Sequence, residues 1–219
     1  MSDKGELATV GSWKMLNDEF EGSSHACRPP ENLTRWRRTQ REGLIADRLG
    51  IDLAIRNHYA RQISERLTEL LADLDSPTVS GYWPLKGEPD LRPWLTSLTE
   101  RGGHAALPVI VAKQTPLRFR LWRPGDVLQR GIWNIPYPAN GEDVNPDVVI
   151  APVVGFDQAG YRLGYGGGYF DRTLAAMPNK PRVVGVGYGQ ATLKTIHPQP
   201  HDIPMDVIVT ESDILEFNR

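Results

Sequence analysis

Asp147-Val-Val-Ile-Ala-Pro-Val-Val154 is followed closely by Arg162-Leu-Gly-Tyr-Gly-Gly-Gly-Tyr-Phe-Asp171 and then by Arg172-Thr-Leu-Ala-Ala-Met177. The first stretch is a β-branched run of the buried-strand kind, and the last is a good helix former. Between them, Gly164, Gly166, Gly167 and Gly168 leave backbone N–H groups uncovered by Cβ atoms and free to adopt positive φ. The reading is a strand, a glycine loop and a helix N-terminus, where amide donors and the helix dipole both favour negative charge.

A glycine cluster between strand and helix is also what an ordinary turn looks like. The spacing matches neither a P-loop, Gly-x-x-x-x-Gly-Lys-Ser/Thr, nor a dinucleotide-binding Gly-x-Gly-x-x-Gly early in the chain. The flanks are what set the loop apart: Arg162 is suited to pair with phosphate oxygens, and Asp171 to hold a magnesium ion. A cation, an acid and an amide nest within one short stretch suit a metal-nucleotide.

Outward from this loop, further strands are expected from Thr78, over Ala106–Ala112, over Leu117–Trp122, from Arg182 and from Asp206. Helices are expected over Leu33–Leu49, from Gly50 to Leu71 and over Leu91–Glu100. Strands alternating with helices predict an α/β fold with a mainly parallel sheet and helices on both faces. Ligands of such sheets bind beyond the carboxyl ends of the strands, so the loop after Thr78-Val-Ser and the glycine loop are expected to share one site. The apolar positions Ile51, Ile55, Tyr59, Ile63, Leu67, Leu70 and Leu71 make one helical stripe, read as core. Residues 126–145, with Pro136, Pro138 and Gly141, read as a connection folding over the site.

Arg35, Arg37, Arg38, Arg41 and Arg48 crowd the first helix. A solvated face is the ordinary reading, yet Arg37 and Arg41 are four apart and share a face that suits one polyphosphate. Trp133 is read either as a packing anchor or as a flat ring for stacking on a pterin or purine.

Bulk properties narrow the class. The 219 residues, 40% of them hydrophobic, suit one sizeable core, with residues 1–32 as a polar N-terminal extension and 33–219 as a single α/β domain. A net charge of −2 gives no case for nucleic acid or membrane, which leaves a small-molecule partner. One cysteine, Cys27, excludes an intramolecular disulfide, and with His25 alone beside it no metal is assigned there. No apolar run resembles a signal peptide or a membrane span, so the expected location is the cytoplasm, as a monomer or small homo-oligomer.

Taken together, Arg37-x-x-x-Arg41, Trp83-Pro-Leu-Lys-Gly-Glu-Pro-Asp90, Trp133-Asn-Ile-Pro-Tyr-Pro138 and Gly155-Phe-Asp-x-x-Gly-Tyr-Arg-Leu-Gly-Tyr-Gly-Gly-Gly-Tyr-Phe-Asp-Arg172 resemble the 5-formyltetrahydrofolate cyclo-ligase family. The resemblance covers roughly residues 35–212. It implies a three-layer α/β sandwich and an ATP- and Mg²⁺-dependent enzyme that converts 5-formyltetrahydrofolate to 5,10-methenyltetrahydrofolate, releasing ADP and phosphate. By the same resemblance, Arg37, Arg41, Arg162, Leu163, Gly164, Tyr165, Gly166, Gly167, Gly168, Tyr169 and Phe170 fall at the nucleotide. Trp83, Glu88, Trp133 and Tyr165 through Tyr169 fall at the folate, Asp171 and Asp206 at the metal, and Arg162, Tyr169 and Asp171 at the chemistry. Phe170 departs from the family, where many relatives carry a second tyrosine. Two alternatives stay open: a catalytically weak folate-binding or regulatory homologue, and a phosphotransferase acting on another small formyl or carboxyl acceptor.

Overall fold

The computed structural model of the chain describes residues 29–217. The chain divides into two units, residues 1–31 and 32–219; the expected N-terminal extension, with His25 and Cys27, lies almost wholly outside the described residues. In the second unit the order is α1 (Leu33–Gly50), α2 (Leu53–Leu70), β1 (Thr78–Ser80), α3 (Arg92–Glu100), β2 (His104–Val109) and β3 (Arg118–Trp122). Then come β4 (Leu128–Arg130), β5 (Pro136–Pro138), β6 (Asp143–Val144), β7 (Val148–Pro152), β8 (Gly155–Asp157) and β9 (Arg162–Leu163). The chain continues with α4 (Tyr169–Ala176), β10 (Arg182–Val186), β11 (Thr192–Leu193), β12 (Val207–Val209) and β13 (Ile214–Glu216).

Eight strands form the main sheet in the order β13-β12-β10-β7-β1-β2-β3-β6. Pairing is parallel from β12 through β2 and antiparallel at both edges. The β-branched run read from the sequence is β7, in the middle, and its period of two divides it between two cores. Val148 and Ile150 join Ile63 and Leu67 of α2 and Leu95 of α3 on one face. Val149 and Ala151 join Leu174 of α4 and Phe156 of β8 on the other. The result is the expected three-layer sandwich with a mainly parallel sheet. No helix among the described residues is long and apolar enough to cross a membrane.

Helix starts follow local chemistry. The Asn32 side chain accepts the Arg35 amide at 2.9 Å, and that of Asp52 accepts the Ala54 amide at 2.7 Å. Only half of the α2 stripe is core, however: Ile63 and Leu67 are fully buried, whereas Ile55 is 46% exposed near the start of the helix.

Three elements differ from the sequence reading. The central strand does not lead straight into the glycine loop, because the β8–β9 hairpin comes between them and pairs with β11 in a separate sheet. Asp157 organises that hairpin: buried at 2% exposure, it accepts the amides of Ala159, Tyr161 and Ile196. Strands of two or three residues carry too little periodicity to be read. Residues 126–145 contain the β4–β5 hairpin and β6 rather than a plain connection, and β13 adds an edge strand after β12.

Candidate active site

Strands β1, β7 and β10 end on the same side of the sheet, and the segments that follow them build the site. α1 runs along it. Arg37, Arg41 and Arg48, spaced by four and seven residues, lie on one side of this helix and reach different parts of the site. Arg38 points away and pairs with Glu42 at 2.8 Å, both well exposed. The arginine cluster therefore divides: Arg38 is on a solvated face, and the stripe beginning at Arg37 faces the protein.

A cavity of about 440 Å³ opens under the first part of the stripe, lined by Arg37, Arg41 and every residue from Arg162 through Asp171. Gly166 has φ +91°, and a Cβ built on it would sit 3.3 Å from the Arg41 guanidinium carbon, so any other residue here would be strained and would crowd the arginine. Gly168, with φ +62°, turns the chain into α4. Among the described residues, the amides of Tyr165, Gly166 and Gly167 donate to no protein acceptor.

The cations of this cavity are not equivalent. Arg37 donates to both carboxylate oxygens of Asp202, at 2.5 and 3.4 Å, and to the carbonyls of Ile196 and His197. Partial burial pushes the Asp202 carboxyl up, but the Arg37 hydrogen bonds and the Gln199 amide outweigh it and hold the group below the usual carboxylate range. Arg162 is buried and pairs with Asp171 at 3.1 Å, in a geometry that leaves its Nε and Nη2 without a hydrogen bond. Its guanidinium lies over the Phe170 ring, 5.4 Å from the centroid, so Phe170 packs against the buried cation. Arg41 uses Nε on the Gly164 carbonyl at 2.6 Å and makes no direct ion pair among the described residues, although the Asp202 charge acts on it from beyond contact. Burial and the neighbouring Arg37 charge pull it below the ordinary arginine value. With Arg37 and Arg162 each ion-paired to an aspartate, Arg41 is the cavity arginine without a direct ion pair among the described residues, and an anion in the cavity would relieve its desolvation.

The loop after β1 forms the other half. Glu88 is 7% exposed; its Oε2 accepts the Leu85 amide at 2.8 Å and its Oε1 accepts the Tyr165 hydroxyl at 2.7 Å. Burial raises its carboxyl above the usual range, against the pull of these hydrogen bonds and of Arg48. Arg48, itself 4% exposed, donates Nη2 to the same Tyr165 hydroxyl at 2.7 Å and Nε to the Lys86 carbonyl at 2.9 Å. Tyr165 thus belongs to both halves: its backbone is in the glycine loop and its hydroxyl is on Glu88.

The sequence profile of the 5-formyltetrahydrofolate cyclo-ligase family matches residues 33–211. The chain belongs to this family. A curated 5-formyltetrahydrofolate cyclo-ligase of Mycolicibacterium smegmatis is 30% identical over 178 residues, covering 78% of this chain and 91% of that protein. The Escherichia coli K12 protein of the same name is 33% identical over 147 residues, or 64% and 81% of the two chains. In structure, the chain is similar to the 5,10-methenyltetrahydrofolate synthetase of Aquifex aeolicus, solved by NMR, with TM-score 0.73, 29% identity and coverage of 84% and 93%. Family membership carries the enzyme class, a 5-formyltetrahydrofolate cyclo-ligase.

The remaining expected residues of this cyclo-ligase chain are spread more widely. Trp133 is 62% exposed at φ +58°, its ring edge-on to Tyr169 with centroids 5.4 Å apart, beside the glycine loop. Trp83 stacks under the Arg92 guanidinium at 4.8 Å and packs on the α2/α3 core. Asp206 does not line the cavity that holds Asp171; its Oδ2 accepts the Val183 amide at 2.7 Å. No group of three His, Cys, Asp or Glu side chains among the described residues forms a metal cage. Asp171 commits Oδ1 to the Ile203 amide and to Arg162. This donor set does not fit a protein-only metal site; Asp171 could hold a magnesium ion only if a bound polyphosphate supplied most of the ligands. Arg48 is the residue that sequence reasoning passed over. Its signal was its spacing, seven residues beyond Arg41 on the same face.

Proposed function

We propose that this chain converts 5-formyltetrahydrofolate to 5,10-methenyltetrahydrofolate with ATP and Mg²⁺, releasing ADP and phosphate. One observation carries the reading: Tyr165 joins a basic glycine-loop cavity to a buried carboxylate, so a polyphosphate site and a hydrogen-bonding site meet across one side chain. The relatives' names supply the substrate class.

In this reading Arg41, Arg162 and the loop amides hold the triphosphate, with the α4 N-terminus adding its dipole. Asp171 would hold a magnesium ion brought by the nucleotide, whose role is to neutralise phosphate charge. Glu88 accepts hydrogen bonds from the pterin N–H groups, and Trp133 stacks at the cavity edge. Both nucleophiles belong to the substrate. The formyl oxygen takes the terminal phosphoryl group; the second amine of the folate then attacks the activated carbon, and phosphate leaves with the former formyl oxygen. Positioning and charge stabilisation are the protein's contribution, which is why no Ser-His-Asp arrangement is required.

The test is to mix purified protein, ATP, Mg²⁺ and 5-formyltetrahydrofolate and follow methenyl absorbance and ADP together. Equal amounts of the two products are expected. Saturable folate binding with no ADP and no absorbance rise, alongside an active reference enzyme, would select a binding protein instead. ADP formed only with another formyl or carboxyl acceptor would select a different phosphotransferase.

A further inference from the structure

We propose that Arg48 is a positioning residue that couples the two halves of the site through Tyr165, so that each substrate strengthens binding of the other. This inference rests on the reading above. A guanidinium at 4% exposure is expensive to bury unless its charge is answered, yet Arg48 has no direct ion pair among the described residues. Its answering charge is Glu88, reached through one hydroxyl. Nη2 donates to the Tyr165 oxygen at 2.7 Å, which turns the Tyr165 proton towards Glu88 Oε1, also at 2.7 Å. Two hydrogen bonds running in one direction polarise each other.

The two arms of Arg48 end on different loops. Nε holds the Lys86 carbonyl, two residues before Glu88, while Nη2 holds a side chain of the glycine loop. Tyr165 is flanked by Gly164 and by Gly166 at positive φ, so its backbone moves with the loop that meets the phosphates. Fixing that loop with nucleotide fixes the Tyr165 hydroxyl, and with it the Glu88 oxygen that faces folate. Folate held on Glu88 orders the loop in return, since linkage between two ligands is reciprocal. Lysine at position 48 would bring the charge without the fork that spans both loops.

The experiment measures, by titration calorimetry, the Kd of a non-hydrolysable ATP analogue with Mg²⁺, alone and with saturating 5-formyltetrahydrofolate, and the Kd of folate with and without the analogue. In the unmodified chain each ligand should tighten the other by about tenfold, within the usual range of site coupling. Arg48→Met and Tyr165→Phe should each bring that ratio near one, and the double variant should do no more than either alone. Arg48→Lys should fold like the parent and still lose most of the coupling. Tyr165→Phe guards the test against a folding defect in Arg48→Met, because it removes only the hydroxyl. Folded variants that keep the parental ratio would overturn the proposal, as would a parental ratio of one in a protein that turns over. A parent that neither binds both ligands nor turns over would overturn the functional reading itself, and the coupling with it.

Discussion

Asp202 and Glu88 lie towards opposite ends of the same arginine stripe and are held in opposite ways. Asp202 faces Arg37 directly, and the pairing keeps its carboxyl below the ordinary range. Glu88 meets Arg48 only through the Tyr165 hydroxyl, and burial lifts its carboxyl above the ordinary range. The proposed nucleotide half is therefore built from matched ions beside one arginine, Arg41, that makes no direct ion pair among the described residues. The proposed folate half is built from a desolvated acceptor held by hydrogen bonds, an arrangement suited to read a pattern of donors rather than a net charge.

Removing an acid from the nucleotide half breaks this contrast most severely. Asp171→Ala leaves Arg162 buried and unpaired, so a loss of about 3–5 kcal/mol in unfolding free energy is expected, together with loss of turnover. Denaturant unfolding and the absorbance assay check the two separately. In the folate half, Glu88→Gln is expected to lower kcat/KM for folate by about a hundredfold, in line with removal of charge-assisted hydrogen bonds, while ATP affinity is kept. Its stability should move the other way. A carboxyl whose folded pKa is raised contributes stability below its unfolded value near pH 4 and loses it as pH rises through the folded value. The variant should thus gain in Tm relative to the parent as pH increases towards neutrality.

Asp202→Asn sharpens the comparison because the sign is reversed. Its depressed carboxyl contributes stability above the unfolded pKa, lost as pH falls through the folded value, so the variant should be less stable by about 1–3 kcal/mol at neutral pH and converge with the parent in acid. Melting curves across pH for this variant and Glu88→Gln should therefore slope in opposite directions. Arg41→Met should leave melting nearly unchanged and raise the KM for ATP by about tenfold, since among the described residues its side chain donates to the Gly164 carbonyl alone. The smallest effect is expected at Trp133, exposed and at φ +58°. Trp133→Gly relieves roughly 1 kcal/mol of backbone strain while weakening folate binding a few-fold, measurable by calorimetry.

The legible parts of the sequence were those whose signal is local. Val148 to Ala151 alternate between two cores as a doubly buried strand must, Arg37 and Arg41 share a helical face, and the run from Arg162 to Asp171 lines one cavity. What stayed hidden depends on contacts across the chain. Nothing near Arg37 announces that Asp202, 165 residues away, matches its charge. Arg48 looks like any surface arginine until the Lys86 carbonyl and the Tyr165 hydroxyl close over it. The hairpin held by Asp157 escaped for a different reason, since its strands are too short to show a period.

The claim that the two halves meet to move a phosphoryl group onto the formyl oxygen is tested most directly by isotope transfer. With 5-formyltetrahydrofolate carrying ¹⁸O in the formyl group, each turnover should place that ¹⁸O in the released inorganic phosphate, read by mass spectrometry or by the isotope shift in ³¹P NMR. Methenyl product formed with unlabelled phosphate, the ¹⁸O appearing in water, would contradict it.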